Sequence, residues 1–81
     1  MEYPQTLTSL KVQDKIPFEK VPNIINLIKE AEKDLADSGR FVLRYSGTEN
    51  KIRILVEDQE IEKVKYWERK AIAVIEEELI Q

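Results

Sequence analysis

The residues of this chain best suited to chemistry lie in one stretch, Arg44-Tyr45-Ser46-Gly47-Thr48-Glu49-Asn50-Lys51-Ile52-Arg53. Small hydroxyl residues and a glycine between two arginines have the composition of an anion site. Arg44 and Arg53 each offer a planar fork of donors that matches phosphate. Ser46 and Thr48 add hydroxyls. Gly47 permits a positive φ and lets a ligand approach the backbone, and consecutive amides at Ser46, Gly47 and Thr48 can form a concave nest of donors for oxygen anions. Asn50 and Lys51 are expected at the rim. Glu49 has the wrong sign for direct contact with phosphate, so its expected role is structural, orienting one of the arginines. The competing reading is an ordinary polar hairpin loop with two solvated arginines.

The spacing of the flanking residues bears on that choice. Phe41, Leu43 and Tyr45 alternate and share one face of a strand, as do Ile52, Ile54 and Val56 on the next run. If the two runs form an antiparallel hairpin with both apolar sets on one buried face, paired residues have position numbers with an odd sum. Arg44 and Arg53 then fall together on the other face. Directly opposed arginines repel, and like charges across a ladder destabilise it. An anion between them removes that cost.

The elements that must position this stretch can be read in order. Residues 1–5 read as a tail or truncated linker. Thr6 to Asp14 reads as a first strand, with Leu10 and Val12 alternating against Lys11 and Gln13 and ended by Pro17. A helix is expected from Pro22, because proline suits the first helical position. Its apolar stripe is Val21, Ile24, Ile25, Ile28, Ala31 and Leu35, with Lys29, Glu30, Glu32, Lys33 and Asp37 on the other side. Ser38-Gly39 reads as its stop, with Gly39 as a left-handed cap; Arg40 reads as a solvated charge outside the site. After the hairpin, a second helix is expected from about Glu60 to Leu79, with Ile61, Val64, Trp67, Ala71, Ile72, Ile75 and Leu79 inward and Trp67 as a core anchor. Glu76-Glu77-Glu78 is unfavourable beside a helix C-terminus, whose dipole prefers cations. The order strand-helix-strand-strand-helix implies an α+β, two-layer sandwich: a small, mainly antiparallel sheet with both helices on one face.

Composition sets the bounds. A chain of 81 residues is one domain, with 42% hydrophobic and 36% charged residues, as in a globular protein. A net charge of −3 argues against a general nucleic-acid binder. There is no apolar run of transmembrane length and no signal-peptide pattern, so no membrane partner is expected and the cytoplasm is the default location. Cysteine and histidine are both absent, which excludes disulfides, thiolate or imidazole metal sites, and cysteine or histidine catalysis.

Gly39-Arg40-Phe41-Val42-Leu43-Arg44-Tyr45-Ser46-Gly47-Thr48-Glu49, followed by Ile52-Arg53-Ile54, resembles the C-terminal domain of the α-D-phosphohexomutases. The family pattern, approximately G-R-x-x-x-R-x-S-G-T-E-x-x-x-R, is matched without gaps at Gly39, Arg40, Arg44, Ser46, Gly47, Thr48, Glu49 and Arg53. Tyr45 and Asn50 stand where proline is frequent, so the loop is less pre-stiffened. The group includes phosphoglucosamine mutase, phosphomannomutase and phosphoglucomutase, and the motif region leans toward the first. The resemblance implies a two-layer fold likened to that of the TATA-binding protein, spanning residues 6–81. It also implies a role: in a four-domain isomerase, this fourth domain holds the phosphate of the hexose or hexosamine phosphate that is not being transferred. Arg44, Ser46, Gly47, Thr48 and Arg53 are then the substrate-phosphate ligands. The phosphoserine and magnesium of such an enzyme belong to other domains, so this domain alone is expected to hold no catalytic residue, metal or cofactor and to be inert. Its implied partners are a sugar phosphate or inorganic phosphate and the other three domains. The alternative is a non-enzymatic α+β interaction or ligand-sensing module that uses a polar hairpin and an apolar sheet face.

Overall fold

A computed structural model of the chain describes residues 4–35 and 39–80. The elements run β1 (Gln5–Lys11), α1 (Pro22–Leu35), β2 (Gly39–Tyr45), β3 (Lys51–Asp58) and α2 (Ile61–Leu79), with a single 3-10 turn at Phe18–Lys20 before α1. The three strands form one sheet in the order β1-β3-β2, and both pairings are antiparallel. The expected α+β class and two-layer arrangement hold. The placement of β1 beside β3, which leaves β3 in the middle, had no signal in the local sequence.

Alternation decides which residues are buried. On β3, Ile52, Ile54 and Val56 are fully buried while Arg53 is exposed. Across the ladder from them, Phe41 is buried and Leu43 and Tyr45 pack against the core. From α1 come Ile24, Leu27, Ala31 and Leu35; from α2 come Val64, Trp67, Ala71, Ile75 and Leu79. Leu27 was missing from the expected stripe. It lies one turn from Ile24 and Ala31 and is buried, whereas Ile25 is only half-buried. Ile61, expected inward, is the first residue of α2 and is exposed. Trp67 is a core anchor: its ring meets Phe41 edge-on at 6.3 Å and its indole N–H donates to Asp34 Oδ2 at 2.8 Å.

The helix starts follow local chemistry. Val21 C=O accepts from the amides of Ile24 and Ile25, and Pro22 occupies the first helical position, where its missing N–H is no loss. At α2, Asp58 Oδ2 accepts from the Glu60 amide at 2.8 Å and turns the chain from β3 into the helix.

Two expectations need correction. β1 starts at Gln5 and stops at Lys11, although Val12 still donates to Asn50 C=O at 2.9 Å and is buried. The folded part therefore reaches into the expected tail, because the Pro4 carbonyl accepts from the Asp58 amide. Second, Gly39 is no left-handed cap: no residue among those described has a positive φ. It opens β2, and a Cβ there would collide with the Glu57 carbonyl oxygen and lie 2.8 Å from Asp58 Oδ1. Glycine is needed at this position for close approach, not for handedness. Asp37 and Ser38, assigned from sequence to the helix surface and its stop, lie outside the described residues.

A candidate anion site on the open face of the sheet

Both helices lie against one face of the sheet, and its other face is open. The register lays out that open face row by row. Arg53, in the central strand, has Arg44 opposite it on β2 and Ser9 opposite it on β1. The next row toward the hairpin holds Lys51 and Lys11. The row on the other side is apolar, Leu7–Leu55–Val42, and beyond it come Gln5, Glu57 and Arg40. The Ser46 amide donates to Lys51 C=O at 2.8 Å. Ladder pairs of this parity, Arg44–Arg53 among them, are therefore the hydrogen-bonded kind, with Cα atoms about 5.5 Å apart.

Arg44 and Arg53 thus lie together on the exposed side, as the parity argument required, and the observed register sets them directly opposite each other. Neither has an ion pair or a side-chain hydrogen bond to another described residue. The open face carries Lys11, Lys51, Arg53, Arg44 and Arg40 against Glu57, on a chain whose net charge is −3. Such a field attracts anions to this side of the molecule.

One concavity of about 550 Å³ opens here, and Arg44, Ser46, Gly47, Thr48 and Arg53 all contribute to its wall. The remaining wall is Tyr45, Arg40 and the apolar row. Asn50 and Lys51, expected at the rim, do not line it. Asn50 Nδ2 turns away and donates to Gln13 C=O at 3.3 Å, and Lys51 Nζ pairs with Glu49 Oε2 at 3.2 Å. Glu49 accordingly pairs with a lysine of its own hairpin and orients neither arginine.

Two details of the loop differ from expectation. Gly47 does not have a positive φ, and without one among the described residues the alternating right- and left-handed backbone of an anion nest is not formed. The Ser46 amide is already committed to Lys51. Thr48 N–H points at Ser46 Oγ at 3.4 Å, a local bond that draws the turn together. The donors facing the concavity are therefore mainly side chains, guanidinium and hydroxyl. A Cβ on Gly47 would meet nothing within 4 Å, so neither backbone strain nor close packing within the chain calls for glycine there.

The sequence reading left out Arg40. It shares the open face with Arg44, four residues along β2, and parity alone would have placed it there. Its guanidinium Nε lies 3.6 Å from Glu57 Oε1, directly across the ladder, with the side chain 64% exposed. Among the described residues no three His, Cys, Asp or Glu side chains converge as metal ligands. No helix among them is long and apolar enough to cross a membrane.

Comparison with known proteins agrees with the motif. Residues 7–74 match the family model described as phosphoglucomutase/phosphomannomutase, C-terminal domain. The chain belongs to this family. Its relatives include the phosphoglucosamine mutases of Koribacter versatilis (47% identical over 55 residues, 68% of this chain and 12% of the relative) and Desulfovibrio desulfuricans (38% over 77 residues, 95% and 17%). That of Chlamydia trachomatis serovar D is 40% identical over 76 residues, 94% of this chain and 17% of the relative. This phosphohexomutase C-terminal domain therefore spans less than a fifth of the length of the curated relatives it matches.

Proposed function

We propose that this phosphohexomutase C-terminal domain grips the phosphate of a hexose or hexosamine phosphate, the one not being transferred, and that the sugar phosphate belongs to a phosphoglucosamine mutase reaction. The observation that carries the reading is the opposed Arg44 and Arg53, neither of them in an ion pair among the described residues, beside the Ser46–Thr48 turn. A ladder that sets two cations face to face on its open side sacrifices stability unless an anion is placed between them. Phosphate fits because each guanidinium can give two parallel bonds to its oxygens, and the Ser46 and Thr48 hydroxyls supply further donors. Gly47 leaves room for the anion to come close to the backbone. Such a grip reads charge and tetrahedral shape and is indifferent to which hydroxyl carries the phosphate. That suits a substrate whose two ends must be held in turn.

In this reading, residues 6–81 are the phosphate-holding unit of a longer enzyme. The phosphoryl transfer, and the magnesium that serves it, are assigned to domains outside this chain. What this chain contributes to the isomerase is binding and orientation, and alone it is inert. The names of the relatives support glucosamine phosphate over mannose or glucose phosphate.

Calorimetric titration with inorganic phosphate tests the grip. A few charge-assisted bonds at an exposed site predict a dissociation constant of about 1 mM. Arg44→Ala with Arg53→Ala should weaken it more than about tenfold with the fold intact. Equal affinity in the double variant contradicts the proposal. Self-association of the chain through the Leu7–Leu55–Val42 row, with no anion binding, favours the interaction-module reading instead.

A further inference from the structure

We infer that Tyr45 and Asn50 are positioning residues: they clamp the two ends of the Ser46–Glu49 turn to the β1–α1 connection and so hold it in its anion-binding shape. The inference rests on the phosphate reading of that turn. Tyr45 precedes the turn, and its hydroxyl donates to Ile16 C=O at 2.6 Å. Its ring packs on Phe18 with 4.9 Å between centroids. Asn50 follows the turn and is held twice: Nδ2 donates to Gln13 C=O at 3.3 Å, and its own carbonyl accepts from the Val12 amide at 2.9 Å. The connection is itself braced from behind, because the Gln13 amide donates to Leu79 C=O at the end of α2, at 3.4 Å.

Between those anchors the described residues give the turn little else to fix it. Its own bonds are Ser46 N–H to Lys51 C=O and the long Thr48 N–H to Ser46 Oγ, and nothing approaches a Cβ position on Gly47 within 4 Å. The exposed Glu49–Lys51 pair adds little. The alternation that puts Arg44 on the open face puts Tyr45 on the covered one, and Asn50 reaches Gln13 instead of the concavity. Their side-chain polar groups are thus spent on the connection and act on the anion only through the turn. A turn that visits its binding shape part of the time binds more weakly in proportion to that fraction. Burial holds the Tyr45 phenol above its ordinary value, so it stays a neutral donor throughout the neutral range.

Phosphate and sulfate titrations of the wild type, Tyr45→Phe and Asn50→Ala, with melting curves and backbone order parameters for Gly47 and Thr48, test this. Tyr45→Phe keeps the ring on Phe18 and removes only the bond to Ile16. Each variant should bind phosphate about threefold to tenfold more weakly and sulfate more weakly by the same factor. The order parameters of Gly47 and Thr48 should fall. Variants that melt earlier yet bind phosphate as the wild type does, with the turn equally ordered, would reduce the ties to general structural bonds and overturn the inference alone. A wild type whose turn does not respond to phosphate overturns both the inference and the reading beneath it.

Discussion

The two faces of this small sheet obey different rules. The covered face is apolar along β2 and β3, where Phe41, Leu43, Ile52, Ile54 and Val56 meet α1 and α2 and buried Trp67 satisfies its N–H on Asp34; β1 adds Thr6 and Thr8, whose hydroxyl donates to Glu68 Oε2 at 2.8 Å. The open face sets Arg44 against Arg53 and Lys11 against Lys51, an arrangement that works against the ladder it sits on. One face is arranged for stability. The other holds charge in readiness at some cost in stability, which is common where a surface awaits a ligand.

Substitutions can break or sharpen that contrast. The largest effect should come from Ile54→Ala, at the centre of the covered face, which is expected to cost about 2–5 kcal/mol in denaturant unfolding. Leu7→Ala, on a side chain 69% exposed across the sheet, should stay within about 0.5 kcal/mol. Equal costs would mean that the open face is not open.

The two glycines repeat the contrast. Gly39→Ala must push against the backbone of Glu57 and should destabilise by about 1–3 kcal/mol. Gly47→Ala meets no neighbour and needs no left-handed φ, so it should leave stability unchanged or raise it by up to about 1 kcal/mol, while weakening phosphate binding. A gain in stability with a loss of binding would assign the glycine to the ligand and not to the fold. The arginines should behave alike: Arg44→Ala is expected to stabilise the free chain by about 0.2–1 kcal/mol at low salt, with the gain shrinking as salt is added.

The smallest effect concerns pH. Because burial raises the Tyr45 phenol above 10.0, its contribution to stability should be constant below that value. It should be lost as the pH climbs through the folded-state value, where the unfolded chain has already released the proton. A titration midpoint below pH 10, read from phenolate absorbance in a Tyr3→Phe, Tyr66→Phe background, would contradict the burial of this phenol.

Much of this was legible because parity is rigid. That Leu43 and Ile54 need one face set the parity of the hairpin and put both arginines on the other face; their direct opposition came only with the register. The helices were legible from their periodic apolar stripes and from Pro22. What escaped were contacts between segments distant in sequence. The strand order depends on where β1 docks. Gly39 has its tight neighbour eighteen residues on, at Glu57, and its local signal pointed instead to a helix stop. Tyr45 and Asn50 read as a loss of stiffness, because their partners, the carbonyls of Ile16 and Gln13, lie far back in the chain. Arg40 was within reach of the same parity argument that found Arg44, but at the start of the strand it read as a solvated charge.

The central claim, a phosphate held between Arg44 and Arg53, is tested most directly by following backbone amide and arginine side-chain resonances of the chain during titration with inorganic phosphate. The amides of Ser46, Gly47 and Thr48 and the guanidinium signals of Arg44 and Arg53 should move first and saturate together, while α2 stays still. Saturable shifts that begin elsewhere, with those five residues unmoved, would contradict it.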